Sequence, residues 1–378
     1  MSSDIAEGRP IRPTRAEIRL GALRRNFARA RELAGKDVAV MAVVKAEAYG
    51  HGMLRVAREL LAEGAGYLGV ALVEEAIALR EAGIDAPILV LGSPPDESLP
   101  DFARYGIDLA VASAAKARAA QAAAALAGAS IRVHLKIDTG MGRIGASWRG
   151  IEAFAEELAG LPGLEIHGVF SHLATADCDP DFAREQVSRF RSALRVLESR
   201  GIEPPLAHIA NSAALVGMPE ARFGMVRPGI MVYGYEPCPW KRAGVEPVMR
   251  LVSRIAFVKG ISAGEGLSYG LTWRAKTDTM IATVPLGYGD GYCRALSNRA
   301  SMWTSGSAVP VVGRICMDQA MLDVGPTSSA REGDEVVVFG VKGGVGIPGE
   351  ALCEILGTIP YELTCAVAAR VPRVYVEE

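Results

Sequence analysis

Lys45 closes the apolar run VAVMAVVK at residues 38–45. An ammonium group is costly to desolvate at the end of such a run. A lysine there can reach out to water along its own stem. It can also do chemistry, because burial lowers its pKa and exposes a lone pair for Schiff-base formation. Other polar groups follow other apolar runs. Lys136 and Asp138 lead into Gly140, Gly142 and Arg143, and His172, Asn211, Ser212, Arg227 and Gly229 lie further along. Asn211-Ser212 reads as a helix start with Ser212 at the N-cap. Helix N-terminal amides beside a glycine such as Gly229 also suit a phosphate dianion. Taken singly, His172 reads as a core histidine, and Arg143 and Arg227 as surface ion pairs. Gathered at one mouth, these groups read as one site.

What could gather them is a repeated strand-and-helix unit. Eight apolar runs fall at residues 38–45, 67–72, 87–92, 108–113, 131–138, 164–173, 206–211 and 225–234. Segments with apolar residues at helical spacing, such as HGMLRVARELLAEG, separate them. Continuous apolar strands alternating with helices imply a parallel sheet covered on both faces. Eight units in about 200 residues fit a closed (β/α)8 TIM-type barrel, whose strand ends converge on one face. An open doubly wound sheet is the alternative, weakened because no G-x-G-x-x-G follows the first strand.

After about Trp240 the rhythm changes to short strands with Gly- and Pro-containing turns and one late helix near PGEALCEILG. This predicts an α/β chain with a tail at 1–11, a barrel at 12–240 and a smaller, mainly-β domain at 241–378. The strand-like RPTRAEIRL segment is a candidate to pair with that second domain.

Composition narrows the function. The chain has 378 residues, half of them hydrophobic, and a net charge of −2, so no basic footprint argues for nucleic acid. No apolar stretch is long enough to span a bilayer. The longest candidate, around Ala119 to Ile131, reads as an Ala-rich packed helix. The first residues lack an apolar signal core, which points to the cytoplasm. The six cysteines form no C-x-x-C pair, which leaves zinc and dithiol chemistry without support and favours reduced thiols.

In order along the chain, VVKAEAYGHG (43–52), KIDTGMGR (136–143), SHLATAD (171–177), VRPGI (226–230), SYG (268–270), GYGDGY (287–292), CMD (316–318) and PYE (360–362) resemble the alanine racemase family over nearly the whole length. Two positions depart from it: Glu47 stands where Asn or Asp is usual, and Gly289 where Ala is common. The resemblance implies a homodimer using pyridoxal 5′-phosphate (PLP) to interconvert L- and D-alanine, a peptidoglycan precursor. Lys45 would hold PLP and serve as the base on the D face, and Tyr269 of the partner chain would serve on the L face. Tyr49, Ser212, Gly229, Ile230 and Tyr361 would hold the phosphate, with His172 and Asn211 also lining the cofactor site. Arg143 would bond the cofactor phenolate oxygen, and with the partner's Met317 it would fix the substrate carboxylate. Arg227 would face the pyridine nitrogen. Lys136 would carry a carbamate, and His208, Tyr288 and Asp318 would support the site. No metal is implied.

These roles cohere physically. An arginine only donates, so it would leave the pyridine nitrogen unprotonated and the electron sink weak, shortening the time available for misprotonation. A phenol, with an ordinary pKa near about 10, is a poor base at neutral pH, and a polar chain through His172 and Arg227 would favour the phenolate. Three other readings stand beside this one. A PLP-dependent decarboxylase of basic amino acids shares the plan, but such chains are usually longer and lack the Tyr269 and Met317 motifs. A PLP carrier protein resembles the barrel alone. A cofactor-free Schiff-base aldolase would lack a visible chromophore.

Overall fold

The computed structural model describes residues 12–159, 161 and 163–378, so the expected tail at 1–11 lies outside the described residues. The chain divides into two compact units. One comprises Leu23–Ala48 and Gly52–Glu246; the other comprises residues 12–22, Tyr49–His51 and Pro247–Glu378. Residues 12–22 therefore belong with the C-terminal unit rather than with the barrel. There β1 (Arg15–Arg19) pairs with two C-terminal strands.

The first unit is a closed parallel barrel. Its strands are β2 (Ala39–Val43), β3 (Tyr67–Val70), β4 (Ile88–Val90), β5 (Asp108–Val111), β6 (Ile131–Asp138), β7 (Leu164–Phe170), β8 (Leu206–His208) and β9 (Met225–Val226). Each pairs with its neighbour in sequence order, β5 pairs with β6, and β9 closes on β2. All eight expected runs are strands, though most are shorter than the runs. Both faces are covered, which is why residues such as Leu68, Ile88, Leu89, Leu109 and Val133 are wholly buried.

The helices between them have readable ends. Pro180–Ser199 starts at Asp179, whose carboxylate accepts from the N–H groups of Asp181 and Phe182, and it buries Ala183, Val187, Phe190, Ala193 and Leu197. The Ala-rich helix runs over Ala114–Ala127, not to Ile131. Gly128, left-handed at φ 61°, stops it, and Ile131 begins β6.

In the second unit, β1 lies between β10 (Met249–Arg254) and the final strand, Arg373–Val376. A second sheet joins Phe257–Ile261, Thr279–Val284 and Ala320–Asp323. Two late helices are present rather than one, Gly349–Leu356 and the short Pro360–Cys365. The second starts on Pro360, whose fixed φ suits a first helical position. Among the described residues, no helix is long and apolar enough to cross a membrane.

Candidate active site

Lys45 follows β2 directly and opens a helical turn, Lys45–Gly50, of the wrong hand. Ala46, Glu47, Ala48 and Tyr49 have φ between 52° and 54°. A left-handed turn of L-residues costs roughly 1–2 kcal/mol per residue, and non-glycine residues adopt it singly as a rule. Four in succession mark strain held by its surroundings, a pattern that clusters at functional sites. The supports are visible. The Ala48 N–H reaches Val44 O at 2.9 Å and the Gly52 N–H reaches Glu47 O at 2.8 Å. The Glu75 carboxylate accepts from Ala46 N–H at 2.6 Å, as well as from Ala71 and Leu72. Tyr233 donates to Val43 O, the last carbonyl of β2, at 2.8 Å. Glu47 accepts from Met53 N–H at 3.2 Å, at the start of helix Met53–Ala62, which has no side-chain cap from Gly52.

The other barrel-strand ends bring Arg143 and Arg227 close to His172 and Lys136, which also lie within electrostatic reach of Lys45. His172 is pushed down to about 3, first by burial and then by Arg227, Arg143, Lys136 and Lys45. Lys136 is lowered to about 8, again by burial first, then by Arg227, Arg143 and Lys45, with Asp138 opposing. Lys136 Nζ donates to Leu91 O at 3.0 Å and lies 5.0 Å from the Phe170 ring centre. Asp138 spends its carboxylate on the N–H groups of Gly140 and Gly142, folding the loop that carries Arg143. The mouth is thus strongly cationic. A phosphate ester with a phenolate suits that donor set, and Lys45, its amine half-buried at the end of an apolar strand, suits a carbonyl.

Arg227 is fully buried and lowered to about 9 by that burial, which leaves it charged at neutral pH. Nη1 meets His208 Nδ1 at 2.7 Å; Nη2 donates to Ser171 O at 2.7 Å and lies 3.3 Å from His172 Nδ1. Ser212 is not the helix cap expected of it. Asn211 caps Ser212–Gly217 by accepting from Ala214 N–H, and the Ser212 hydroxyl instead accepts from Gly229 N–H at 2.9 Å and Met231 N–H at 3.4 Å. This ties the β8 and β9 loops together around Ile230, the arrangement from which a phosphate is held in barrels of this kind.

The remaining expected residues lie in the second unit. Tyr269 is 70% exposed on another left-handed stretch, with Ser268 at φ 65°, Gly270 at 72° and Leu271 at 46°. Ser268 Oγ donates to Arg314 O at 2.6 Å and anchors it. The Tyr49 and Tyr361 rings are 5.6 Å apart. Burial, then Tyr361 and Cys365, push the Tyr49 phenol well up, so it stays protonated and can donate to an anion. Tyr288 and Met317 are exposed, and they are tied together by Tyr288 N–H to Cys316 O and Gly289 N–H to Met317 O. Arg370 bonds Asp290, Asp318 and Met317 O. A Cβ on Gly289 would meet the tip of the Arg370 side chain, which is half-exposed and free to shift, so nothing in the structure explains glycine at this departure from the family.

Sequence reasoning missed Glu75, His134, Asp108 and Tyr67. The last three had a signal: polar side chains set within the strand-forming runs, where they lie buried.

The chain matches the model for the alanine racemase N-terminal domain over residues 18–237 and that for the C-terminal domain over 248–375. It is 44% identical over 370 residues to the alanine racemase of Desulfovibrio desulfuricans, covering 97% of this chain and 99% of the relative. The alanine racemase structure from Clostridium difficile 630 superposes with a TM-score of 0.93 at 37% identity, covering 98% and 97% of the two chains. That from Bacillus anthracis, solved with bound L-Ala-P, superposes at 0.90 with 36% identity, covering 98% and 96%. With both domain models matched in order and relatives covered end to end, this chain belongs to the alanine racemase family.

Proposed function

We propose that the protein is a PLP-dependent alanine racemase of the cytoplasm, interconverting L- and D-alanine and so supplying D-alanine for peptidoglycan. The observation that carries this reading is the left-handed turn that delivers Lys45 to a mouth shared with Lys136, Arg143 and Arg227. Lys45 Nζ would hold the cofactor. The Ser212 hydroxyl and the Ile230 amide, beside Gly229, would receive its phosphate, and Arg143 its phenolate oxygen. Bound there, PLP supplies delocalisation that stabilises negative charge at the substrate α-carbon. Arg227 donates without accepting, which leaves the ring nitrogen bare and that delocalisation modest.

Inversion requires a base on each side of the α-carbon. Lys45 moves the proton on the D face. The partner subunit's Tyr269 moves it on the L face in a homodimer, and the partner subunit's Met317 amide joins Arg143 on the carboxylate. The exposure of Tyr269 on an anchored turn supports a role toward another surface. Lys136, lowered to about 8, presents enough neutral amine for addition to CO2. The N–C bond forms, one proton leaves, and a cation crowded by Arg227, Arg143 and Lys45 becomes an anion able to orient Arg143.

The test has two parts. Borohydride treatment of the purified protein should fix a pyridoxyl group on the peptide holding Lys45, and polarimetry should show alanine racemising in both directions. A label on Lys136 or any other lysine overturns the site. A labelled protein that leaves alanine unchanged overturns the reaction.

A further inference from the structure

A hydrogen-bonded chain of buried side chains runs down the barrel interior from Arg227. His208 Nε2 lies 2.9 Å from His134 Nδ1. His134 Nε2 lies 3.3 Å from the Tyr67 hydroxyl and 3.5 Å from Asp108 Oδ2. Tyr67 donates to Asp108, and Arg132 Nε donates to the other carboxylate oxygen at 2.7 Å. Asp108, His134 and His208 are wholly buried. Asp108 begins β5 and Arg227 follows β9, so the chain links the two ends of the barrel.

The donor inventory assigns every proton. Arg227 can only donate, so His208 Nδ1 accepts and the His208 proton sits on Nε2. That proton is given to His134 Nδ1, which places the His134 proton on its own Nε2, facing the Tyr67 oxygen and the Asp108 carboxylate. Every ring nitrogen is then matched, with His134 Nε2–H shared between the Tyr67 oxygen and the Asp108 carboxylate, and both rings are neutral. Burial first, with Arg227 acting on both, lowers the two histidines; hydrogen bonds from His134 and Tyr67 outweigh burial and hold Asp108 ionised. The backbone makes room for the arrangement. A Cβ on Gly168, the register partner of His134, would lie 2.2 Å from His134 Nδ1, the atom that must accept from His208.

We propose that His134, oriented by Asp108 and Tyr67, is a positioning residue that locks His208 with Nδ1 bare, so that Arg227 stays fixed as a donor toward the cofactor ring nitrogen. Without it, His208 Nε2–H is left buried without an acceptor, and its ring turns or exchanges tautomer at Arg227's expense. The inference rests on the cofactor role of Arg227. The assays separate the two: failed borohydride labelling counts against that role, and ring-nitrogen spectra report on the chain by themselves.

The experiment is nitrogen-15 NMR of histidine-labelled holoenzyme, beside His134→Gln and His134→Leu. In the parent protein both rings should carry the proton on Nε2 and be neutral at pH 7, as buried imidazoles are. A proton on Nδ1 of either ring overturns the proposal. Gln can accept from His208 and donate toward Tyr67; Leu can do neither. Leu should move the His208 signals and lower kcat about tenfold with little change in KM, the scale of one buried donor left unpaired. Gln should restore both signals and kcat to within about threefold. A folded Leu variant with unchanged His208 signals and kcat removes the role. So does a Gln variant that loses kcat by the amount expected for Leu, and that arm decides even where Leu does not fold.

Discussion

Lys45 and Tyr269, the two proposed bases, both sit at left-handed backbone, but the strain is held in different ways. At Lys45, four consecutive residues are left-handed, and carboxylates, carbonyls and the Tyr233 phenol hold the turn and the strand before it. At Tyr269 the Ser268 hydroxyl on Arg314 O and the Leu271 N–H on Ser268 O hold the stretch, and the ring is mostly exposed. The side chains that brace the first site come from the barrel unit. The second presents its group outward, as a residue does when its working surroundings come from another chain.

The sharpest break in this pairing is Tyr269→Phe. Racemisation should fall about 10²- to 10⁴-fold, the usual span for losing an acid–base group. The fall must be equal in both directions, because the enantiomers have equal free energy and a catalyst moves no equilibrium. The asymmetry lies in exchange. In deuterium oxide the variant should still wash out the α-hydrogen of D-alanine with retention, through Lys45, and exchange L-alanine far more slowly. Similar exchange of both enantiomers would remove Tyr269 from the L face.

Next comes the brace on the other base. Glu75→Ala strips an acceptor from three backbone N–H groups, one of them on the left-handed turn. A loss of about 1–3 kcal/mol in stability follows, with slower borohydride labelling of Lys45. Thermal unfolding and labelling rates measured together check it, and parent-like values in both would show that the turn holds itself.

Acid should act on the barrel. His134, His172 and His208 are all lowered by burial. Below the unfolded histidine value of about 6.5, the unfolded chain binds protons that the native barrel refuses, so stability falls as pH drops, by up to about 1.4 kcal/mol per pH unit for each ring. For His172 the window extends down to about 3. Melting temperature followed from pH 7 to 4.5 should decline, and His172→Gln should flatten the slope.

The smallest effect belongs to Glu47→Asn. Asparagine tolerates left-handed φ better, but the shorter side chain gives up the Met53 N–H. Each contribution is worth roughly 0.5–1 kcal/mol with opposite sign, so the melting temperature should stay within about 2 °C. A drop of more than about 5 °C would mean that the cap outweighs the strain.

The barrel was legible because fully buried parallel strands must be continuous apolar runs, and KIDTGMGR and VRPGI could be placed at strand ends from that alone. The hand of the Lys45 turn was not. KAEA is made of good helix formers and announces no reversal, because the turn is held by Glu75, Tyr233 and the β2 end rather than by local preference. Ser212 misled for a related reason: the hydroxyl suits a cap, but Asn211 precedes it and tertiary contact claims the serine. His134 passed as one polar residue in IRVHLKID, since the partners that give it meaning come from β3, β5 and β8.

β1 has a consequence for biosynthesis. It is synthesised before the barrel, yet it sits between β10 and the strand Arg373–Val376, which is made after it. At about 5–20 residues per second, some tens of seconds separate its appearance from that of its final neighbour. Residues 23–246 can close the barrel in that interval, while the strand RAEIR waits with both edges unpaired. A nascent chain is then most exposed to mispairing with a second copy when the barrel is already complete, and a terminal fragment lacking residues 12–22 should accept that strand as an added peptide.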